Sequence, residues 1–500
     1  VSDWSSAAAT SLELGAIVAA VAGALGAAFA WLVARTDLPG RGRLGSLLAL
    51  PYAIPAYLLG MAWVVLGNPT VGLFRGVLPS SGSYGFWGIA LVESSVAFAF
   101  PFLELRAGFE RLDPALEEAA RMSGASPWRV FRDVSFPLLW PALLNGMCLA
   151  FLYALSSFGV PALLGLPVRL FTLTTLIYSE LKLGGADGIA RGLWVSGALL
   201  VLACSGLALS SWAGRVALRR SGPLSGGKAS RLGLVRLGAW RYVALGALLG
   251  LLGVGVALPW AALGLEAFAP VSGSYALAGW TLRNIAHVLE LADFRSAVVN
   301  SAFLAAGMAT AVSAGGFLLA YAAVRLRSRV ASWTALALGV PFATPGTVLA
   351  MALVFFGVVI SRVGVPALPA LVLIAASYGL KYAAVGARSM ITAFRQVDPA
   401  LEEAARISGA RRLELLLTIW APLLKRTWLA AWWLAALPMA TELTMSVLLT
   451  GPGAETLGTV LFDLHEYASQ PQAAALAWLL LTLAIVCSFW AGTIAREVAA

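Results

Sequence analysis

The side chains able to do chemistry are few and scattered. Cys148, Cys204 and Cys487 stand alone in apolar stretches with no CxxC or Cys/His spacing, the pattern of small buried apolar residues rather than of metal ligands or a redox pair. His287 and His465 lie far apart in polar stretches, so no metal site is expected from them. Four ionisable residues, Glu93, Glu104, Lys381 and Glu442, fall inside long apolar segments. A charge at the centre of a membrane helix costs about 2.5–3.5 kcal/mol, so each needs a partner or a wet surface. Glu104 is expected to snorkel or to pair with Arg106 or Arg111. Glu442 is expected either to line a substrate path or to form a structural pair with another helix. Gly222–Ala229 imitates a phosphate loop, but Ala229 follows Lys228 where Ser or Thr must reach the metal, and nothing around it reads as a strand. No catalytic constellation, no metal and no cofactor are expected of this chain.

The elements that carry these residues are membrane helices. Of the 500 residues 60% are hydrophobic and 12% charged, against roughly 45–50% and about 25% in soluble domains, which excludes a soluble enzyme and a disordered scaffold. Eleven stretches are long and apolar enough to span a bilayer, at 11–34, 46–67, 86–109, 137–160, 188–213, 242–264, 296–324, 333–358, 366–392, 423–450 and 472–494. Assigning the loops alternately to two sides puts 26 of the 34 Lys and Arg residues on one side. By the positive-inside rule that side is cytoplasmic, with the C-terminus inside and the N-terminus outside. The net charge of +10 thus reads as topology rather than as a nucleic-acid patch. An external start at Val1 with an odd number of spans predicts a preceding span, twelve in all.

The chain repeats itself. Asp113–Ala125 recurs as Asp398–Ala410 with one difference, Met122 against Ile407, and the segment from Pro51 resembles that from Pro341 in the corresponding place. An even number of spans separates the copies, so the halves are parallel rather than inverted. The expected organisation is an all-α polytopic bundle with a first half at 1–213, a basic cytoplasmic linker at 214–241 and a second half at 242–500. Each repeated motif is a punctuated amphipathic helix. Asp113 caps it, Pro114 takes the first position, Glu117 and Glu118 sit near the positive dipole end, and Gly124 gives a left-handed exit. Two readings are open: a rigid connector packed only on its own protein, or a docking element in which Ala119, Ala120, Ala404 and Ala405 allow close approach while Glu118 and Glu403 offer charge to a basic partner. Pro51, Pro55, Pro341 and Pro345 free backbone carbonyls at membrane depth. They suit gate or pore segments, with simple kinking as the alternative.

Glu118-Ala119-Ala120, Gly124, Val134 and Phe136-Pro137, and again Glu403-Ala404-Ala405, Gly409, Ile419 and Pro422, resemble the cytoplasmic signature loop of binding-protein-dependent ABC importer permeases. The second copy departs from that pattern at Ala421, where the family prefers Leu. The resemblance implies that both loops, with Gly124 and Gly409 at their exits, couple to two copies of a separate ABC ATPase, and that an extracytoplasmic binding protein delivers the substrate. It implies a permease without enzymatic activity in a bacterial inner membrane. The fused layout and the phrases at Phe158–Gly165, Phe171–Tyr178 and Thr441–Thr444 are similar to the ferric-iron branch, with thiamine or another small solute as the alternative. Ser157 departs from that branch, which often carries Asp there. A gradient-driven secondary transporter is the competing class, and the duplicated capped helix argues against it.

Overall fold

Long runs of Ala, Leu, Gly and Val without polar interruption leave the backbone only intrahelical partners in lipid. The computed structural model describes residues 4–78, 81–183, 185–220, 234–364, 366–411 and 414–499, and these are helical apart from loops and one isolated parallel bridge between Thr36 and Val235. The look-alike phosphate loop at 222–229 lies outside the described residues.

Among the described residues eight helices are long and apolar enough to cross a membrane, and up to eleven spans result if each of three bent pairs counts as one. The expected continuous spans at 46–67 and 333–358 are instead bent, by 87° and 103°. The bends fall where proline removes a donor: Ile54 and Thr344 are extended, and Pro55 and Pro345 precede the helices Ala56–Gly67 and Gly346–Arg362. A third bent pair, 159–168 with 173–182, turns through 75° in a stretch expected only to link spans. The expected span at 423–450 ends as a helix at Ala440 and restarts at Thr444.

The chain forms two compact units, Val1–Ile285 with Gln470–Thr482, and Ala286–Ser469 with Leu483–Ala500. In the first, Trp4–Arg35 packs along Ala99–Arg111 and Phe136–Ser156. In the second, Ala292–Val324 packs in the same way along Ala370–Gln396 and Ala421–Ala440. Small residues make both crossings tight. A Cβ on Gly26 would lie 2.8 Å from the amide nitrogen of Phe102, and one on its repeat counterpart Gly316 would lie 2.4 Å from the carbonyl carbon of Gly386. The compact units and the sequence repeats divide the chain differently, because Leu258–Phe268, beyond the linker, packs on Ala56–Gly67 of the first unit.

Candidate functional site

The repeated motif forms the same object in each unit. The helix Pro114–Met122 begins with Asp113 Oδ1 accepting the Ala115 amide at 2.9 Å, and the second copy has the Asp398 carboxylate on the Ala400 amide at 2.9 Å. Each ends on a glycine in the left-handed region, Gly124 at φ 84° and Gly409 at φ 87°. The exits carry the expected amide bonds, Ala125 to the Ala120 carbonyl at 3.1 Å and Ala410 to Ala405 at 3.0 Å. In the first copy Pro127–Val130 then opens a short second helix.

Two faces separate by burial. Glu117 and Glu402 point inward and are buried. Arg35 Nη2 donates to Glu117 Oε2, Ser135 Oγ donates to Glu117 Oε1 at 2.7 Å, and Arg121 stands 3.7 Å away. In the second unit Arg406 Nη2 donates to Glu402 Oε1 at 2.6 Å, and Arg325 Nε lies 3.9 Å from Glu402 Oε2 while its Nη2 donates to the carbonyls of Phe394 and Val397. Each motif helix is therefore tied to the end of a long helix, Trp4–Arg35 or Ala292–Val324, by a buried carboxylate. Sequence reasoning assigned Glu117 only to the helix dipole and missed this anchor. The Glu117/Arg121 and Glu402/Arg406 spacing of four residues was the available signal.

The opposite face is uncovered. Glu118, Ala119, Glu403 and Ala404 are exposed, Ala120 and Ala405 half-buried, and Gly124 and Gly409 exposed. Leu116 and Leu401 are 47% and 49% exposed, Met122 and Ile407 both 88%. At positions i, i+3 and i+6 of the helix these apolar side chains and Ala119 or Ala404 share one side. The same exposed apolar surface recurs in both units.

The intramembrane candidates Glu93 and Ser157 form one cluster in the first unit, and Glu442 and Lys381, near enough to attract each other as opposite charges, form another in the second. Ser157 donates to the fully buried Glu93 and accepts at its carbonyl from Thr174 Oγ1 at 2.6 Å. Glu442 occupies the repeat position of Ser157, and its carboxylate accepts the amides of Met445 and Ser446 at 2.9 and 3.1 Å. Lys381 Nζ donates to the carbonyl of Thr344, a group at the bend between Pro341 and Pro345. Pro51 and Pro55 flank the equivalent bend in the first unit. Of the partners expected for Glu104, Arg106 bonds Glu110 at 3.2 Å, one helical turn ahead of it, and the side chain of Arg111 lies outside the described residues.

Residues 20–219 match the family described as the inner membrane component of binding-protein-dependent transport systems. The molybdenum transport system permease protein ModB of Escherichia coli K12 is 31% identical over 207 residues, 39% of this chain and 86% of that one. The sulfate transport system permease protein CysT of Salmonella typhimurium is 34% identical over 149 residues, 29% of this chain and 54% of that one. Among solved structures, a bacterial ABC transporter involved in the import of alginate matches at 17% identity and TM-score 0.42, covering 52% of this chain and 96% of that one. Such components are permeases and not enzymes, ATP hydrolysis residing in separate subunits. With its two-half helical architecture and duplicated capped connector, this chain belongs to the family of binding-protein-dependent transport system inner membrane components.

Proposed function

We propose that this chain supplies both membrane halves of an ATP-driven importer, that Pro114–Met122 and Ala400–Ile407 each dock one copy of an ABC ATPase on the cytoplasmic side, and that an extracytoplasmic binding protein loads the path. The observation that carries this is the duplicated uncovered face, Leu116, Glu118, Ala119 and Met122 against Leu401, Glu403, Ala404 and Ile407, held out by a buried carboxylate behind it. Gly124 and Gly409 set the direction in which each loop leaves the partner. The same assignment puts the C-terminus in the cytoplasm. Pro51, Pro55, Ser157, Pro341, Pro345 and Glu442 belong to the translocation path, where bent helices expose backbone carbonyls to a covered route.

The cargo is a small inorganic ion. The molybdenum and sulfate permeases among the relatives, together with Ser157 in place of an acid, favour an oxyanion. The fused layout and the phrase at Phe158–Gly165 favour ferric iron as the second reading. Proteoliposomes holding the chain, its ATPase and its binding protein test both parts. Uptake of labelled molybdate or sulfate that requires ATP inside and survives an uncoupler supports the proposal. Uptake that persists without ATP and collapses with the uncoupler refutes the importer mechanism, and ATP-driven uptake of ferric iron alone selects the second cargo.

A further inference from the structure

The two anchors differ at one position. In the repeat register Ser135 of the first copy corresponds to Trp420 of the second. The Trp420 indole is fully buried, its ring 5.0 Å from that of Phe394 and 4.5 Å beneath the Arg325 guanidinium. It fills a core with Tyr321, Met390 and Leu424, against which Trp428 also packs. In the first unit the counterparts of these residues, Trp31, Leu105, Phe109, Leu139 and Leu143, surround a cavity of about 560 Å³. That volume lies within the range of ligand sites, roughly 300–1,000 Å³.

The cavity has one polar wall. Arg35 is 5% exposed and lines it, with Nη2 on Glu117 and Nη1 buried without a partner. Arg121 and Glu117 are the other charged residues of the lining, so the wall carries one net positive charge. Trp128, Phe136 and Trp140, all exposed, also belong to the lining. Aromatic rings gather at membrane interfaces, and basic pockets between membrane helices hold anionic headgroups.

We propose that the first unit holds one anionic phospholipid here, its phosphate on Arg35 Nη1 and Arg121 and the upper part of an acyl chain in the space that Trp420 fills in the second unit. A soluble anion alone would leave the aromatic walls unfilled. A neutral lipid would bring a cation toward a wall already positive. The lipid stands behind the first connector helix, so the two connectors are backed differently, one by protein and one by membrane. The site does not depend on the cargo or on which leaflet faces the cytoplasm.

The test uses the full chain in nanodiscs of phosphatidylcholine alone or mixed with phosphatidylglycerol, followed by native mass spectrometry of lipid retained after detergent washing. The expected result is one phosphatidylglycerol per chain from mixed discs and no phosphatidylcholine from either. Leu143→Trp installs the residue of the second copy without touching the Arg35–Glu117 pair, and lowers retention at least tenfold. Ser135→Trp, which also removes the hydroxyl bonded to Glu117, lowers retention as well, while Leu336→Trp, at an exposed position in the second unit, leaves it unchanged. Absence of retained lipid, equal retention of phosphatidylcholine, an inorganic phosphate ion in its place, or full retention by a folded Leu143→Trp chain overturns the proposal. The choice of the parent chain between the two lipids decides the matter even if a variant is poorly expressed.

Discussion

Valine at Gly409, and by the repeat at Gly124, separates docking from self-packing. Both glycines have φ in the left-handed region, and a Cβ added at either would meet no atom within 4 Å. The cost is therefore backbone strain alone, about 1–2 kcal/mol for an L-residue held there. Uprooting the helix would cost more, because breaking a buried ion pair such as Arg35–Glu117 costs about 3–5 kcal/mol. The strain is then relieved at the cheaper place, by re-aiming the exit through Ala125 or Ala410 while the helix stays anchored. If the native exit is the docking conformation, its population falls by a factor of roughly 5–30. Each single variant should reach the membrane in normal amount and co-purify with its ATPase about tenfold less, and the double variant should be weaker still, the loops being independent. Membrane abundance, ATPase co-purification and binding-protein-stimulated hydrolysis are measured in one preparation. Normal coupling in the double variant, or reduced abundance with normal transport per molecule, refutes the reasoning and returns the loops to a self-packed role.

Glu117→Ala strands a buried Arg35 and should destabilise the first unit by about 3–5 kcal/mol, read as a lower melting temperature and lower abundance; Glu118→Ala, on the exposed face, should leave both unchanged and weaken only ATPase co-purification. Gly316→Leu drives a side chain into backbone that a Cβ alone would approach to 2.4 Å, so a loss of at least about 1–3 kcal/mol and poor accumulation are expected, whereas Gly307→Leu, with open space around it, should accumulate normally. Insertion of a flexible segment between Gly226 and Gly227, in a stretch rich in Gly and Ser with basic but no acidic residues, should leave assembly and transport intact by co-purification and uptake.

The sequence was most legible where local chemistry acts alone. Caps, prolines and exit glycines at Asp113–Ala125 and Asp398–Ala410 depend on neighbours within a few residues, and the helices begin and end where those signals stand. Hydropathy likewise located most spans, since the bilayer imposes its length on each independently. Partners distant in sequence were not legible. Arg35 and Glu117 are 82 residues apart, and no periodicity links them. The bends at Ile54 and Thr344 were foreshadowed by their prolines, but an angle near a right angle depends on tertiary packing and groups such as Lys381, which reaches the Thr344 carbonyl. The helix-loop-helix at 159–182 escaped notice because its two apolar pieces are each too short to read as a span.

The contrast between Ser135 and Trp420 has a meaning for how such a chain can change over time. In an importer assembled from two identical permease subunits, every substitution is made twice, so a cavity behind one connector is a cavity behind both. Fusion removes that coupling. The interior behind each connector can drift separately, toward a packed indole in one half and an open pocket in the other, while Glu-Ala-Ala and the exit glycine stay letter for letter the same on the outside. A common client that reads both outer faces would impose that sameness, and the inner faces, which that client does not touch, are where the two halves are free to become different machines.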